Sequence, residues 1–148
     1  MTIQTHNGLV EDPSSLAESI LEQIADAVIY ADGTGPIQRG NGSAAELFGY
    51  GSEEALGRSL DLIIPEWLRP AHWRGFEAAV TSGALKLSGR PTVTRAMHRT
   101  GRRLYVEMTF ALVTAHAGGA ARGAVAVARD VTERIERQRA DTRGGHIG

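Results

Sequence analysis

His72 is the residue whose type and setting could do chemistry without help from a second group. The run from Ile64 to Val80 reads as a turn followed by a helix over 70–81, with Pro70 suited to its first turn. At about 100° per residue, His72, Phe76, Ala79 and Val80 fall within one core-facing sector. An imidazole aimed at carbon rather than water is either a hydrogen-bonded core residue or a metal ligand.

No other group forms a catalytic constellation with it. Asp26 and Asp32 flank a short apolar run, where turn and cap roles suit them better than an acid–base pair. Gly33-Thr34-Gly35 precedes a weak strand, not a helix, so it cannot cradle a phosphate at a helix N-terminus. His6, His116 and His146 sit in tail or turn contexts without metal-ligand spacing. His98 stands beside Arg99 at a hairpin end and is expected in solvent. Trp67 and Trp73 are read as packing residues rather than platforms for bases. The chain has no cysteine, which excludes disulfides, thiolate nucleophiles, thioether-linked haem and covalent flavin–cysteine chemistry.

Several elements must position His72. A helical pattern begins at Asp12-Pro13-Ser14, with Leu16, Ile20, Leu21 and Ile24 at helical spacing. Strands are predicted near 27–31, 37–40, 92–98, 103–114 and 121–129. In the fourth, Leu104, Val106, Met108, Phe110 and Leu112 alternate with Tyr105, Glu107 and Thr109. One face of the fifth is all alanine, which leaves space above the sheet. Ser43 with Glu46 reads as a capping box, and Asp130 with Glu133 as another at the start of a last helix. Strands joined by tight hairpins are antiparallel, and helices grouped between them give an α+β architecture.

Length and composition suit one ordinary soluble domain of 148 residues, 42% hydrophobic and 22% charged. Neither a membrane span nor a signal peptide is visible, so the cytoplasm is the expected address. The net charge of −1 hides an asymmetry. Residues 1–66 hold eleven acids against Arg39 and Arg58, and residues 67–148 hold fourteen Lys and Arg against six acids. The plain reading is that Arg serves as the surface cation, since Lys86 is the only lysine.

In this order and spacing, several segments together resemble a PAS domain over residues 16–137. They are Ala27 to Gly33, Asn41 with Ala44 to Tyr50, Gly57 to Leu60, Ile64 to Glu66, the Arg99-Thr100-Gly101 hairpin and Ala128 to Arg134. The resemblance implies a PAS fold: a five-stranded antiparallel sheet with several short helices and one long helix on one face, flanked by N- and C-terminal helices. The organisation expected is a flexible N-terminus over 1–12, the PAS domain with flanking helices over 13–137, and a flexible tail over 138–148. Such a module senses a small ligand and signals through contacts rather than catalysis.

The stretch around His72 further resembles the oxygen-sensing haem PAS domains of bacterial sensor kinases. That likeness implies haem b with its iron on His72, and Leu87, Met108 and Phe110 as apolar distal positions; His98 would be a remote contact for a propionate. Thr92 stands where that subgroup has its gas-contacting arginine, with Arg90 and Arg95 out of register. Ala78 stands where it has an arginine for a haem propionate. Three states of the pocket stay open: haem, another small ligand, or none, with His72 a core histidine bonded to a backbone carbonyl. In the last case the chain is a ligand-free dimerisation module. A small α+β enzyme using His72 for proton transfer is the remote alternative. The partners implied are a second copy, through the terminal helices, and a sensor kinase or transcription regulator. Neither nucleic acid nor membrane is expected as a direct partner.

Overall fold

The computed structural model describes residues 12–85, 89–115 and 120–147. Helix α1 (Pro13–Gln23) leads into β1 (Ala27–Asp32) and β2 (Ile37–Gly40). Helices α2 (Gly42–Phe48) and α3 (Ser52–Ala55) follow, then 3-10 turns at Leu60–Leu62 and Glu66–Leu68, and the long helix α4 (Arg69–Ser82). Strands β3 (Thr92–Met97), β4 (Arg103–Thr114) and β5 (Ala121–Asp130) precede helix α5 (Thr132–Ile147). The five strands form one sheet in the order β2-β1-β5-β4-β3, and every neighbouring pair is antiparallel.

Register explains how the sheet divides its residues. Ala31, Ile29 and Ala27 stand opposite Ala124, Ala126 and Ala128, and the last two stand opposite Phe110 and Met108. Val106 and Leu104 continue that inner face toward Thr94 and Ala96 of β3. Side chains alternate across a strand, so all of these point to the helix-covered side. Leu104 and Val106 are fully buried there with Phe48, Ile63 and Ile37. Gly123 is the close-approach position of β5: a Cβ on it would collide with the Ala31 carbonyl oxygen.

Helix α2 begins differently from the expected Ser43 cap. Asn41 is its N-cap, and its Oδ1 accepts from both Ala44 N (2.9 Å) and Val28 N (2.9 Å). Its amide donates to the carbonyls of Leu21 (2.9 Å) and Asp26 (3.1 Å), so this fully buried side chain is satisfied on all sides. Ser43 instead donates to the Ile24 carbonyl (2.7 Å). Together they hold α1 against the domain, helped by Arg39, which pairs with Glu18 and Glu22. No α1 residue is buried.

The last helix also departs from expectation. It runs to Ile147, past the boundary at 137, where a flexible tail over 138–148 was expected. Once nucleated, a helix gains one hydrogen bond per residue, and Arg, Glu, Gln and Ala favour it. Gly144 and Gly145 leave its end the weaker part. Asp130 accepts from Thr132 N (2.9 Å), but the carbonyl closing the first turn is that of Val131, so Asp130 stands one residue before the cap. The N-terminal segment before residue 12, Leu87, His6, His116 and the side chain of His146 lie outside the described residues.

The charge asymmetry is partly neutralised within the fold. Arg69 pairs with Asp61, Arg99 with Glu54 and Arg129 with Asp26, each joining a basic residue of the second half to an acid of the first. This favours the plain surface-charge reading.

Candidate functional site

A cavity of ≈ 330 Å³ lies between the alanine face of the sheet and helix α4. Its floor comprises Ala31, Ala124 and Ala126 with Met108 and Phe110; its roof is Leu68, His72 and Phe76, closed at the side by Ile63 and Ile64. Small side chains on the floor leave the gap that larger ones would fill. Thr92 and Thr94 of β3 add hydroxyls to the rim. Among the described residues that line it, His72 and Arg95 are the only ionisable ones.

The rotation of α4 decides where His72 points, and two neighbours set it. Trp73 donates its indole N–H to Asp61 Oδ1 (2.8 Å), and its ring would lie 3.2 Å from a Cβ on Gly35 in the β1–β2 turn. Arg69 donates to the carbonyls of Ile64 (3.0 Å) and Asp61 (3.1 Å). With Trp73 pinned to that side, the adjoining helical position carries His72 over the cavity. Its ring meets Trp73 edge-on at 4.7 Å and stacks near Phe76 at 6.1 Å.

The imidazole is half-buried, and its Nδ1 is sealed from solvent without a hydrogen-bond partner. Among the described residues no backbone carbonyl bonds this nitrogen, as the reading of a carbonyl-tied core histidine would have it. Burial pushes the His72 pKa below the usual imidazole value, against a smaller opposing pull from Asp61. The ring is thus neutral near pH 7, with one N–H and one lone pair. A neutral imidazole facing a carbon-walled gap can ligate a metal or hydrogen-bond a buried ligand.

Of the residues singled out from sequence, His72, Met108 and Phe110 come together around this cavity. Thr92 lines it too, while Ala78 is exposed and away from it. His98 is elsewhere: its ring lies 2.7 Å from where a Cβ on Gly49 would stand, and its Nδ1 meets Thr100 Oγ1 at 3.0 Å. Gly49 ends α2 at φ 86°, so a side chain there would meet both backbone strain and that ring. Asp32 takes the turn role, accepting from Thr34 and Gln38, and these bonds hold its carboxyl below the usual range. Asp26 pairs with Arg129 at the opposite end of β1. Sequence reasoning missed Asp61 and Thr94; neither has a local pattern that reveals a partner so far along the chain.

The chain belongs to the PAS domain family, whose model matches residues 25–133. These are sensory modules. A protein of Azorhizobium caulinodans is 32% identical over 134 residues, covering 90% of this chain and 18% of that protein. Sensor protein FixL of Bradyrhizobium diazoefficiens is 43% identical over 54 residues, covering 36% of this chain and 11% of that protein. The chain thus spans less than a fifth of the length of these relatives. The PAS domain of a Colwellia psychrerythraea protein shares the fold with a TM-score of 0.70 at 20% identity, covering 82% of this chain and 99% of that one.

Proposed function

We propose that this chain is the ligand-sensing module of a longer signalling protein, with the cavity beside His72 as its receptor site. The observation that carries this is a neutral imidazole, one nitrogen sealed and unpartnered, set against a hollow walled almost wholly by carbon. A structural core would fill that volume or satisfy that nitrogen. We read the module as acting by binding and contact rather than catalysis: among the described residues, the lining offers His72 no second acid or base beyond Arg95.

Haem b is the occupant that the resemblance around His72 implies, and the donor chemistry suits it. His72 would hold the iron, with Met108 and Phe110 packing on the macrocycle. Bound there, haem would supply an iron position able to take a diatomic gas. A second reading rests on size: ≈ 330 Å³ is at the low end of the roughly 300–1,000 Å³ typical of small-molecule pockets. That suits a compact apolar molecule with one polar group turned toward His72 or Thr94. The absence of cysteine leaves no route to a cysteinyl-flavin adduct in either case.

The reading includes a partner surface. Leu16 and Ile20 of α1 and Ile24 at its C-cap are exposed by 48%, 52% and 38%, at four-residue spacing. This stripe suits a second copy of the chain, or a neighbouring segment of a sensor kinase or transcription regulator. No helix among the described residues is long and apolar enough to cross a membrane.

Haemin titration separates the readings. A Soret band that His72→Ala abolishes, with the variant still folded, identifies haem on His72. No Soret band, but a raised melting temperature with small alcohols or phenols, identifies a compact ligand. If neither haemin nor any compact ligand binds, the receptor reading is wrong.

A further inference from the structure

Across the β3 edge of the sheet, four side chains alternate aromatic and cationic. The Arg95 guanidinium lies 5.9 Å from the centroid of Trp67 and 5.2 Å from that of Tyr105. Arg139 of α5 lies 5.1 Å from the same Tyr105 ring. All three distances fall within reach of a cation–π contact. Trp67 belongs to the turn Glu66–Leu68, whose next residue, Leu68, lines the cavity, as Arg95 does. At the other end, the Tyr105 backbone clasps the start of α5. Its carbonyl accepts from Val131 N (2.8 Å), and its N–H donates to Thr132 Oγ1 (2.9 Å).

We propose that the stack Trp67–Arg95–Tyr105–Arg139 couples the cavity wall to the exit helix α5. A shift of the turn that carries Leu68 displaces Trp67. Arg95 then repacks between the two rings, and Tyr105 transmits the change to the first two turns of α5. Helix α5 is sensitive to so few contacts because its buried or half-buried apolar side chains near the sheet are Val131 and Ile135 alone among the described residues. Among the described residues, the other holds are the Tyr105 backbone clasp, the Arg134–Glu107 pair at 3.6 Å and the stack itself. This inference rests on Leu68 forming cavity wall but on no particular occupant.

Amide hydrogen exchange on the full chain tests it, with exchange in residues 132–140 as the readout. Trp67 is 66% exposed, so Trp67→Ala leaves the core intact, and it makes no contact with α5 in the stack except through Arg95 and Tyr105. The expected result is exchange in 132–140 about two- to five-fold faster in both Trp67→Ala and Arg95→Met. β1 should stay unchanged, and Trp67→Phe should restore slow exchange because it keeps a ring face. If only Tyr105→Leu speeds α5, Tyr105 is a local anchor and the coupling is refuted. Faster exchange throughout the sheet in Trp67→Ala would refute it as well, as general loosening. The test needs no ligand, so its failure leaves the receptor reading standing.

Discussion

Ala126 and Ala128 stand two residues apart on β5 and face the same side of the sheet, yet they meet opposite surroundings. Ala128 is buried in the packed core that holds Phe48, Leu104 and Val106. Ala126 lies under the hollow roofed by His72 and Phe76. One half of the inner face is filled as a domain core must be. The other half is left open, at the expense of dispersion contacts that a larger side chain would make. Close packing is thus concentrated around α2 and the β3–β4 hairpin, and open volume around α4.

The sharpest way to break this contrast is to truncate a ring on each side. Phe48→Ala should cost about 3–5 kcal/mol in urea unfolding, since it opens a cavity in close-packed surroundings. Phe76→Ala should cost less than half as much, because its ring already borders empty space. Equal losses would mean that the two halves are packed alike.

Next in size are the two alanines. Ala128→Leu overpacks a filled site and should destabilise by about 1–3 kcal/mol. Ala126→Leu places the same side chain in the hollow and should leave the melting temperature unchanged or raise it. A large loss from Ala126→Leu would show that the hollow closes in solution.

The pH dependence sharpens the comparison on the α4 side. Burial holds His72 below its unfolded pKa, so the unfolded chain takes up the proton first on acidification. The stabilising contribution is complete above the ordinary imidazole value and is lost as pH falls through the folded one. Wild-type stability should therefore drop from about pH 7 to pH 5 more steeply than that of His72→Phe. Identical slopes in urea melts would show that the imidazole is as well hydrated in the fold as out of it. The smallest effect belongs to the boundary. Met108 touches both core and cavity, and Met108→Leu should cost less than about 1.5 kcal/mol by thermal melting.

Much of this arrangement was legible from residue patterns. Period-two alternation in Leu104 to Leu112 placed β4 and its inner face, and the alanines of β5 announced space above the sheet. Pro70 with the His72–Phe76–Ala79 stripe located α4 and its direction. What escaped were features fixed by tertiary reach. Ser43 has good capping chemistry, but Asn41 can satisfy four groups at once from a buried position, and that decided the cap. The unpartnered Nδ1 of His72 depends on which carbonyls α4 does not meet. The Trp67–Arg95–Tyr105–Arg139 stack joins four elements spread over seventy-two positions, beyond any local pattern.

The central claim is that the hollow beside His72 is kept for a ligand, and native mass spectrometry tests it most directly. The full chain and its Ala126→Leu variant would be purified from cells supplied with a haem precursor and sprayed with and without added haemin. The account predicts a noncovalent adduct on the wild type, either haem or a compact co-purified molecule, that Ala126→Leu loses while remaining folded. Bare chain masses for both proteins under every condition, or the same adduct on both, would contradict it.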